Sequence, residues 1–194
     1  MSTRLESRTR GAYDALASLP ARRALAVAAF ALLTAIAARV SVPLLPVPIT
    51  MQTLAVSLAG LLLGARLGAL SQVTYLALGA AGLPVFAQGL GLPTLLGPTG
   101  GFLLAFPAAA AFTGWGAARV RQDGVAGTAL LALVTFAGTL VVFAGGWAQL
   151  VVLGMGPQQA LQVGVLPFLA GDVIKVLLAV LIAGRLRSRT LAQL

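Results

Sequence analysis

The sequence contains no cysteine and no histidine, and only four of its 194 residues are acidic. Without cysteine there is no disulfide framework, and without either residue the usual zinc sites and most nucleophile–base pairs are excluded. The single lysine, Lys175, is followed by Val176, so the chain lacks the Gly-Lys-Ser/Thr loop of phosphate-binding ATPases. We therefore expect no metal, no cofactor and no ATP hydrolysis in this chain.

Charge is scarce as well, since 9% of the residues are charged and 59% are hydrophobic. This composition excludes an ordinary soluble domain and indicates an integral membrane protein. At about 20 residues for each span, the length suits about six spans with short connections. We predict an all-α membrane protein with six transmembrane helices in one bundle.

The apolar runs set the boundaries of the predicted segments. The transmembrane domain covers residues 24–186, between an N-terminal segment, 1–23, and a tail, 187–194. The spans are placed at 24–38, 50–64, 67–82, 102–118, 125–152 and 167–186, and Gly145-Gly146 is expected to interrupt the fifth. The first run also fits the core of a secretory signal, an alternative weakened by the several spans that follow it.

The net charge of +9 is unevenly distributed. Eleven of the thirteen basic residues fall in the N-terminal segment, the turns at 66 and 119–121, and the C-terminal part, whereas the connections 41–50, 82–101 and 154–167 carry no charge. The positive-inside rule then predicts a multi-pass protein of a prokaryotic cell membrane, with both termini cytoplasmic and these three connections outside. The charge thus reflects membrane orientation, and no nucleic-acid partner is expected.

Asp172 and Lys175 are an acid and a base three residues apart within an apolar run. On a helix they share one face, and each would cost roughly 2.5–3.5 kcal/mol at mid-bilayer depth unless it faced a partner or a cavity. A structural ion pair and a polar ligand pocket both fit this pattern. Arg39 is the other cation predicted near the outer side, which favours a pocket there.

Residues 82–101 are too rich in glycine and proline to span the membrane, yet too apolar for a solvated loop. Irregular backbone at membrane depth must be buried in protein or line a cavity. We interpret the segment as a folded lid, in which Gln88 and the free backbone groups around Gly97–Gly101 could face a ligand. A purely structural loop is the alternative.

Small residues recur along the first span in two pairs at four-residue spacing, Ala24 with Ala28 and Ala31 with Ala35. Such spacing permits close approach of another membrane helix. In a chain so rich in alanine, a face that simply contacts lipid is the alternative.

Four short motifs resemble one known family, the biotin-specific S components (BioY) of energy-coupling factor transporters. They are Val-Pro-Ile-Thr-Met-Gln-Thr-Leu at 47–54, Gly-Leu-Pro-Val-Phe-Ala at 82–87, Leu-Gly-Pro-Thr-Gly-Gly at 96–101, and Pro-Phe-Leu-Ala-Gly-Asp-Val-Ile-Lys at 167–175. Each motif is short, but their order and spacing are specific. With the six-span layout, the resemblance extends over most of residues 24–186.

The resemblance implies a protein that captures biotin in the outer half of the membrane, with Asp172 and Lys175 as its clearest site residues. It also implies lids in the first and third outer connections. Docking, partly through the alanine face, would be on a transmembrane coupling protein with two ABC-type ATPases that use the ATP. The expected substrate-binding set is Asp172, Lys175, Gln88, Tyr75 and Arg39, and the expected lid set is Pro48, Thr50, Gln52, Phe86, Gly97, Thr99 and Gly100.

Other classes of function fit less well. A self-sufficient secondary transporter of a small carboxylate-bearing vitamin would be expected to show two related halves, and no clear internal repeat is present. An intramembrane enzyme would need a nucleophile and base beyond Asp172 and Lys175, so no enzymatic activity is expected. A purely structural subunit would bind no ligand, which a binding test distinguishes.

Overall fold

The computed structural model describes residues 2–43, 45–121 and 124–193, and side chains over 20–43, 45–121 and 124–186. Most of the predicted N-terminal segment and the whole predicted tail therefore lie outside the residues with described side chains. Within the described ranges the chain forms seven helices and two short strands. In chain order these are α1 (Ser2–Arg39), β1 (Ser41–Val42), β2 (Ile49–Thr50), α2 (Gln52–Ala80), α3 (Gly91–Leu96), α4 (Gly100–Ala117), α5 (Gly124–Val152), α6 (Pro157–Gly164) and α7 (Leu166–Gln193).

Five helical stretches in the described part are long and apolar enough to cross a membrane. They are Pro20–Arg39, Gln52–Ala80, Gly100–Ala117, Gly124–Val152 and Leu166–Leu186. Large apolar side chains remain exposed on their outer faces, including Leu25, Leu133 and Leu181. Such a surface suits hydrocarbon rather than water, and the predicted all-α membrane character is confirmed.

The helix α2 reverses direction at Gly64, whose φ of 78° and ψ of −178° are not helical. In a straight helix, Ala59 and Gly68 would be about 13 Å apart along the axis. Here they are in close contact, because a Cβ placed on Gly68 would lie 2.9 Å from the carbonyl oxygen of Ala59. The segments 52–63 and 65–80 therefore pack side by side as a tight hairpin. The backbone conformation at Gly64 favours glycine, because φ and ψ near these values are strained for other residues.

The proline-rich connection after α1 folds back on itself. Strands β1 and β2 pair antiparallel, with Ser41 opposite Thr50 and Val42 opposite Ile49. Val47 is buried, whereas Leu45 is 92% exposed. The three prolines of this connection, Pro43, Pro46 and Pro48, prevent a helix, and the two-residue ladder is a feature that we did not predict.

The helix α5 continues through Gly145 and Gly146, so the predicted interruption is wrong. A Cβ on Gly145 would lie 2.6 Å from the carbonyl oxygen of Gly101, and one on Gly146 would lie 2.2 Å from the ring of Phe102. The two glycines therefore allow α4 to pack closely against an unbroken helix. Glycine lowers helix stability by only about 1 kcal/mol relative to alanine, which such packing can offset.

The segment 82–101 contains the short helix α3 between two irregular stretches. Side chains of other helices bond to both of these stretches: Arg39 of α1 donates to the carbonyl of Pro84, and Gln149 of α5 donates to those of Leu96 and Gly97 at 3.2 and 3.3 Å. Phe86, between these bonds, is buried in the core. The segment is thus folded and attached at both ends.

Candidate functional site

A buried polar cluster lies where the start of α2 meets α7. Lys175 Nζ is 2.6 Å from Asp172 Oδ1 and donates to Thr53 Oγ1 at 3.1 Å. The same hydroxyl donates to Asp172 Oδ1 at 2.7 Å. Asp172 is 1% exposed and Lys175 is 7% exposed. The pair shares a helix face because its members are three residues apart, and Thr53 closes the triangle from a second helix.

This cluster forms one wall of a cavity with about 550 Å³ of empty space, counting its open mouth. The lining combines a few polar groups with aliphatic and aromatic side chains: Val47, Pro48, Thr50, Gln52, Thr53, Phe86, Ala87, Gln88, Thr94, Thr99, Phe102, Leu103, Phe106, Val142, Phe143, Phe168, Asp172 and Lys175.

Phenylalanine rings supply much of the apolar wall. The ring of Phe168 lies 6.3 Å, centroid to centroid, from the rings of both Phe102 and Phe143. These residues come from α7, α4 and α5, so the rings join three helices around the cavity. Rings at this spacing attract each other beyond the area that they bury, and they offer a rigid surface to an apolar ligand.

Tyr75 does not line the cavity, but it supports a residue that does. Its ring is fully buried, lying edge-on to Phe86 at 5.6 Å and stacked on Phe106 at 6.4 Å. Its hydroxyl accepts a hydrogen bond from Gln52 Nε2 at 2.6 Å and donates to the carbonyl of Val85 at 3.2 Å. Tyr75 therefore positions the Gln52 amide at the cavity wall instead of contacting the cavity itself.

The two remaining residues of the predicted substrate-binding set lie in different places. Gln88 lines the cavity and is exposed, which places the cavity mouth beside it. Arg39 is exposed, is not among the lining residues, and bonds to the Pro84 carbonyl. The structure thus brings Asp172, Lys175 and Gln88 to one cavity and leaves Arg39 outside it.

The predicted lid residues divide in a similar way. Five of them line the cavity, namely Pro48, Thr50, Gln52, Phe86 and Thr99. Gly97 and Gly100 do not. Gly97 offers its carbonyl to Gln149, and a Cβ on Gly100 would lie 1.8 Å from the carbonyl oxygen of Leu95. These two glycines therefore shape the backbone of the segment instead of facing the cavity.

The predicted alanine docking face is divided along α1. Ala24 and Ala28 are exposed and line an open groove between α1 and the second half of α2. Ala31 is 1% exposed and Ala35 packs against the same core. The C-terminal half of this face, Ala31 and Ala35, is thus covered by other parts of the chain.

Several residues that line the cavity were not predicted as site residues. Thr53 and Thr94 resemble ordinary helix hydroxyls, which commonly bond to their own backbone. The phenylalanines resemble core or lipid-facing residues, because a helix that is apolar all round gives no sign of which side faces a cavity. Only the position of Thr53 within the 47–54 motif distinguished it.

The chain is similar to known proteins over most of its length. The model of the BioY family matches residues 7–192. A probable biotin transporter BioY of Pyrococcus horikoshii is 43% identical over 84% of this chain and 95% of its own length. The biotin transporter BioY of Thermotoga maritima is 37% identical over 81% of this chain and 91% of its own length.

A solved structure has a similar fold. The crystal structure of the S-component for biotin from an ECF-type ABC transporter aligns with a TM-score of 0.75 and 27% identity, covering 87% of this chain and 92% of the other. The family match covers nearly all of the chain, and the motif residues at 47–54 and 167–175 meet at one cavity wall. This chain belongs to the BioY family.

Proposed function

We propose that this chain is the substrate-capture subunit of a biotin uptake system, and that it binds biotin in the cavity beside Asp172 and Lys175. The observation that carries the proposal is the buried pair of Asp172 and Lys175, joined by Thr53, on the wall of a cavity lined by aromatic side chains. Family membership and the relatives named as biotin transporters support the choice of substrate.

The chemistry of biotin suits this lining. Its ureido ring presents two N–H donors and one carbonyl, its thioether ring and chain are apolar, and its far end is a carboxylate. Asp172 can accept from a ureido N–H, and Lys175 can donate to the ureido carbonyl. The phenylalanine rings can enclose the apolar part, as is usual for concave sites.

The proposed topology has six spans with both termini in the cytoplasm. The reversal of α2 at Gly64 supports two crossings by this helix. Its first half, 12 residues, is only about 18 Å long, so the β1–β2 segment above it would also lie at membrane depth. The three outer connections carry no charge, whereas the turns on the other side carry arginines.

The proposed partners follow from what the chain lacks. It has no phosphate-binding loop, so accumulation of biotin would depend on a transmembrane coupling protein and two ABC-type ATPases, with ATP used by those subunits. The likeness to an S-component from an ECF-type ABC transporter supports this assembly. We place the docking surface partly at Ala24 and Ala28, and the lids in the first and third outer connections, 41–50 and 154–167.

Titration of the purified chain with biotin tests the proposal. We expect saturable binding at one site per chain, with other vitamins of similar size as controls that do not compete. Binding of a different vitamin in preference to biotin, or no binding by the folded chain, would refute the assigned substrate. Accumulation of biotin in liposomes by the chain alone would favour a self-sufficient secondary transporter.

A further inference from the structure

The side chain of Thr94 has a hydroxyl without a hydrogen-bond partner. Thr94 lies on α3, is 9% exposed and lines the cavity. Among the side chains that the structure describes, its Oγ1 is the one buried nitrogen or oxygen that no hydrogen bond satisfies. Burial of an unpaired hydroxyl is unfavourable, so a ligand group that bonded to it would recover a lost interaction.

The surrounding chain holds this hydroxyl in place. Gln149 bonds to the carbonyls of Leu96 and Gly97 and so fixes the end of α3. On the other side, a Cβ on Gly89 would lie 2.5 Å from Thr94 Oγ1, and Gly89 has a φ of +70°. The glycine leaves room for the hydroxyl, and its neighbour Gln88 stands exposed at the cavity mouth.

The charges that line the cavity favour the carboxylate end of the ligand near Thr94. At the inner wall, Lys175 is already paired with Asp172 at 2.6 Å, so an anion there would meet the acid as well as the base. Thr94 and Gln88 form a second polar group on the lining, made of neutral side chains that can donate, whereas Thr99 already donates its hydroxyl to the Thr94 carbonyl at 3.5 Å. Because Gln88 is exposed, an anion beside it would also keep part of its hydration.

We propose that Thr94 is a specificity-determining residue that donates a hydrogen bond from its hydroxyl to the carboxylate of the bound ligand, near the cavity mouth. The ureido ring then faces Asp172 and Lys175, and the apolar part of biotin lies between the two polar groups. This assignment rests on the proposed function and adds to it the orientation of the substrate.

The test compares Thr94→Val with Thr94→Ser in the full chain, each titrated with biotin and with biotin amide. Valine keeps the shape and removes the hydroxyl, whereas serine retains the hydroxyl. Because hydrogen bonds to a charged group contribute more than those to a neutral one, Thr94→Val should weaken biotin binding by roughly 10- to 100-fold and biotin amide binding by only a few-fold. Thr94→Ser should remain close to the parent for both ligands.

Each outcome has a distinct meaning once thermal unfolding has shown that both variants fold. Equal biotin affinity in Thr94→Val and the parent would overturn the role of Thr94. Equal losses for biotin and its amide would overturn the assignment to the carboxylate. A parent chain that binds no biotin would instead refute the proposed function.

Discussion

At the scale of single residues, the site depends on two side chains of opposite charge and on one hydroxyl that bonds to both. Lys175 and Asp172 form a buried pair, and the hydroxyl of Thr53 bonds to both. A buried pair is stable only when its remaining hydrogen-bonding capacity is satisfied. Thr53 supplies part of this capacity, and the proposed ligand would supply more.

Replacing Thr53 by valine should therefore expose the dependence of the pair on this hydroxyl. We expect Thr53→Val to lower the free energy of unfolding by about 1.5–3 kcal/mol, on the order of 3–12 °C in the thermal midpoint, and to weaken biotin binding. Thr53→Ser, which keeps the hydroxyl, is the matched control. Equal midpoints and equal affinities in the two variants would contradict this role.

Tyr75 offers a second test at this scale, because its hydroxyl positions Gln52 without lining the cavity. Tyr75→Phe keeps the ring contacts and removes the acceptor of the Gln52 amide. We expect biotin affinity to fall about 5-fold, equivalent to about 1 kcal/mol. A variant that loses stability but keeps the parent affinity would show that Tyr75 serves the fold alone.

At the scale of elements, close packing at glycines brings the helices together. A Cβ on Gly114 of α4 would lie 2.4 Å from the backbone nitrogen of Ala65, at the turn of the α2 hairpin, and one on Gly60 would lie 2.5 Å from the carbonyl of Ala110. These contacts are to backbone, which cannot rotate away as a side chain can. They fix the hairpin, and through it Thr53, against α4.

Alanine substitutions can measure this packing. Gly114→Ala should destabilise the protein by about 1–3 kcal/mol, because overpacking forces the backbones apart. Gly184→Ala on α7 is the matched control, since a Cβ there would meet no atom within 4 Å. The thermal unfolding midpoint of Gly184→Ala should equal or exceed that of the parent, because alanine favours a helix more than glycine does. A loss of the same size in both variants would refute the packing argument.

The sequence predicts some elements better than others. Long apolar runs and the positions of arginines are local signals, and they place α4, α5 and the apolar stretches Pro20–Arg39 of α1 and Leu166–Leu186 of α7 within a few residues. The interruption predicted at Gly145-Gly146 is wrong because a glycine pair looks the same whether it breaks a helix or admits a neighbour. Tyr75 and Arg39 are both predicted at the site, but only tertiary contacts decide which residue faces a cavity and which supports one that does.

At the scale of the whole molecule, orientation in the membrane is the first question. With no native cysteine to interfere, cysteines introduced at Ser41 and Gln158 should react with a membrane-impermeant thiol reagent added to whole cells. A cysteine at Gln122, which lies outside the described residues, should react only after the cells are opened. Labelling at Gln122 from outside would contradict the proposed orientation and the outward-facing cavity.

Energy supply is the second question at this scale. The isolated chain should show no ATP hydrolysis, because no phosphate-binding loop is present. Accumulation of biotin in liposomes should appear only when the coupling protein and its ATPases are added. ATP turnover by the chain alone, in a preparation free of contaminating ATPases, would contradict the proposal that separate subunits hydrolyse the ATP.

The most direct test of the account is the biotin affinity of the double variant Asp172→Asn/Lys175→Met. If the two residues were only a structural pair, removing both charges would be gentler than removing either, because no buried charge would remain unpaired. If they contact biotin, the double variant should still fold and should bind biotin at least 10- to 100-fold more weakly, as expected when a charge-assisted hydrogen bond worth about 1.5–3 kcal/mol is lost. A folded double variant that binds biotin as tightly as the parent would contradict the account.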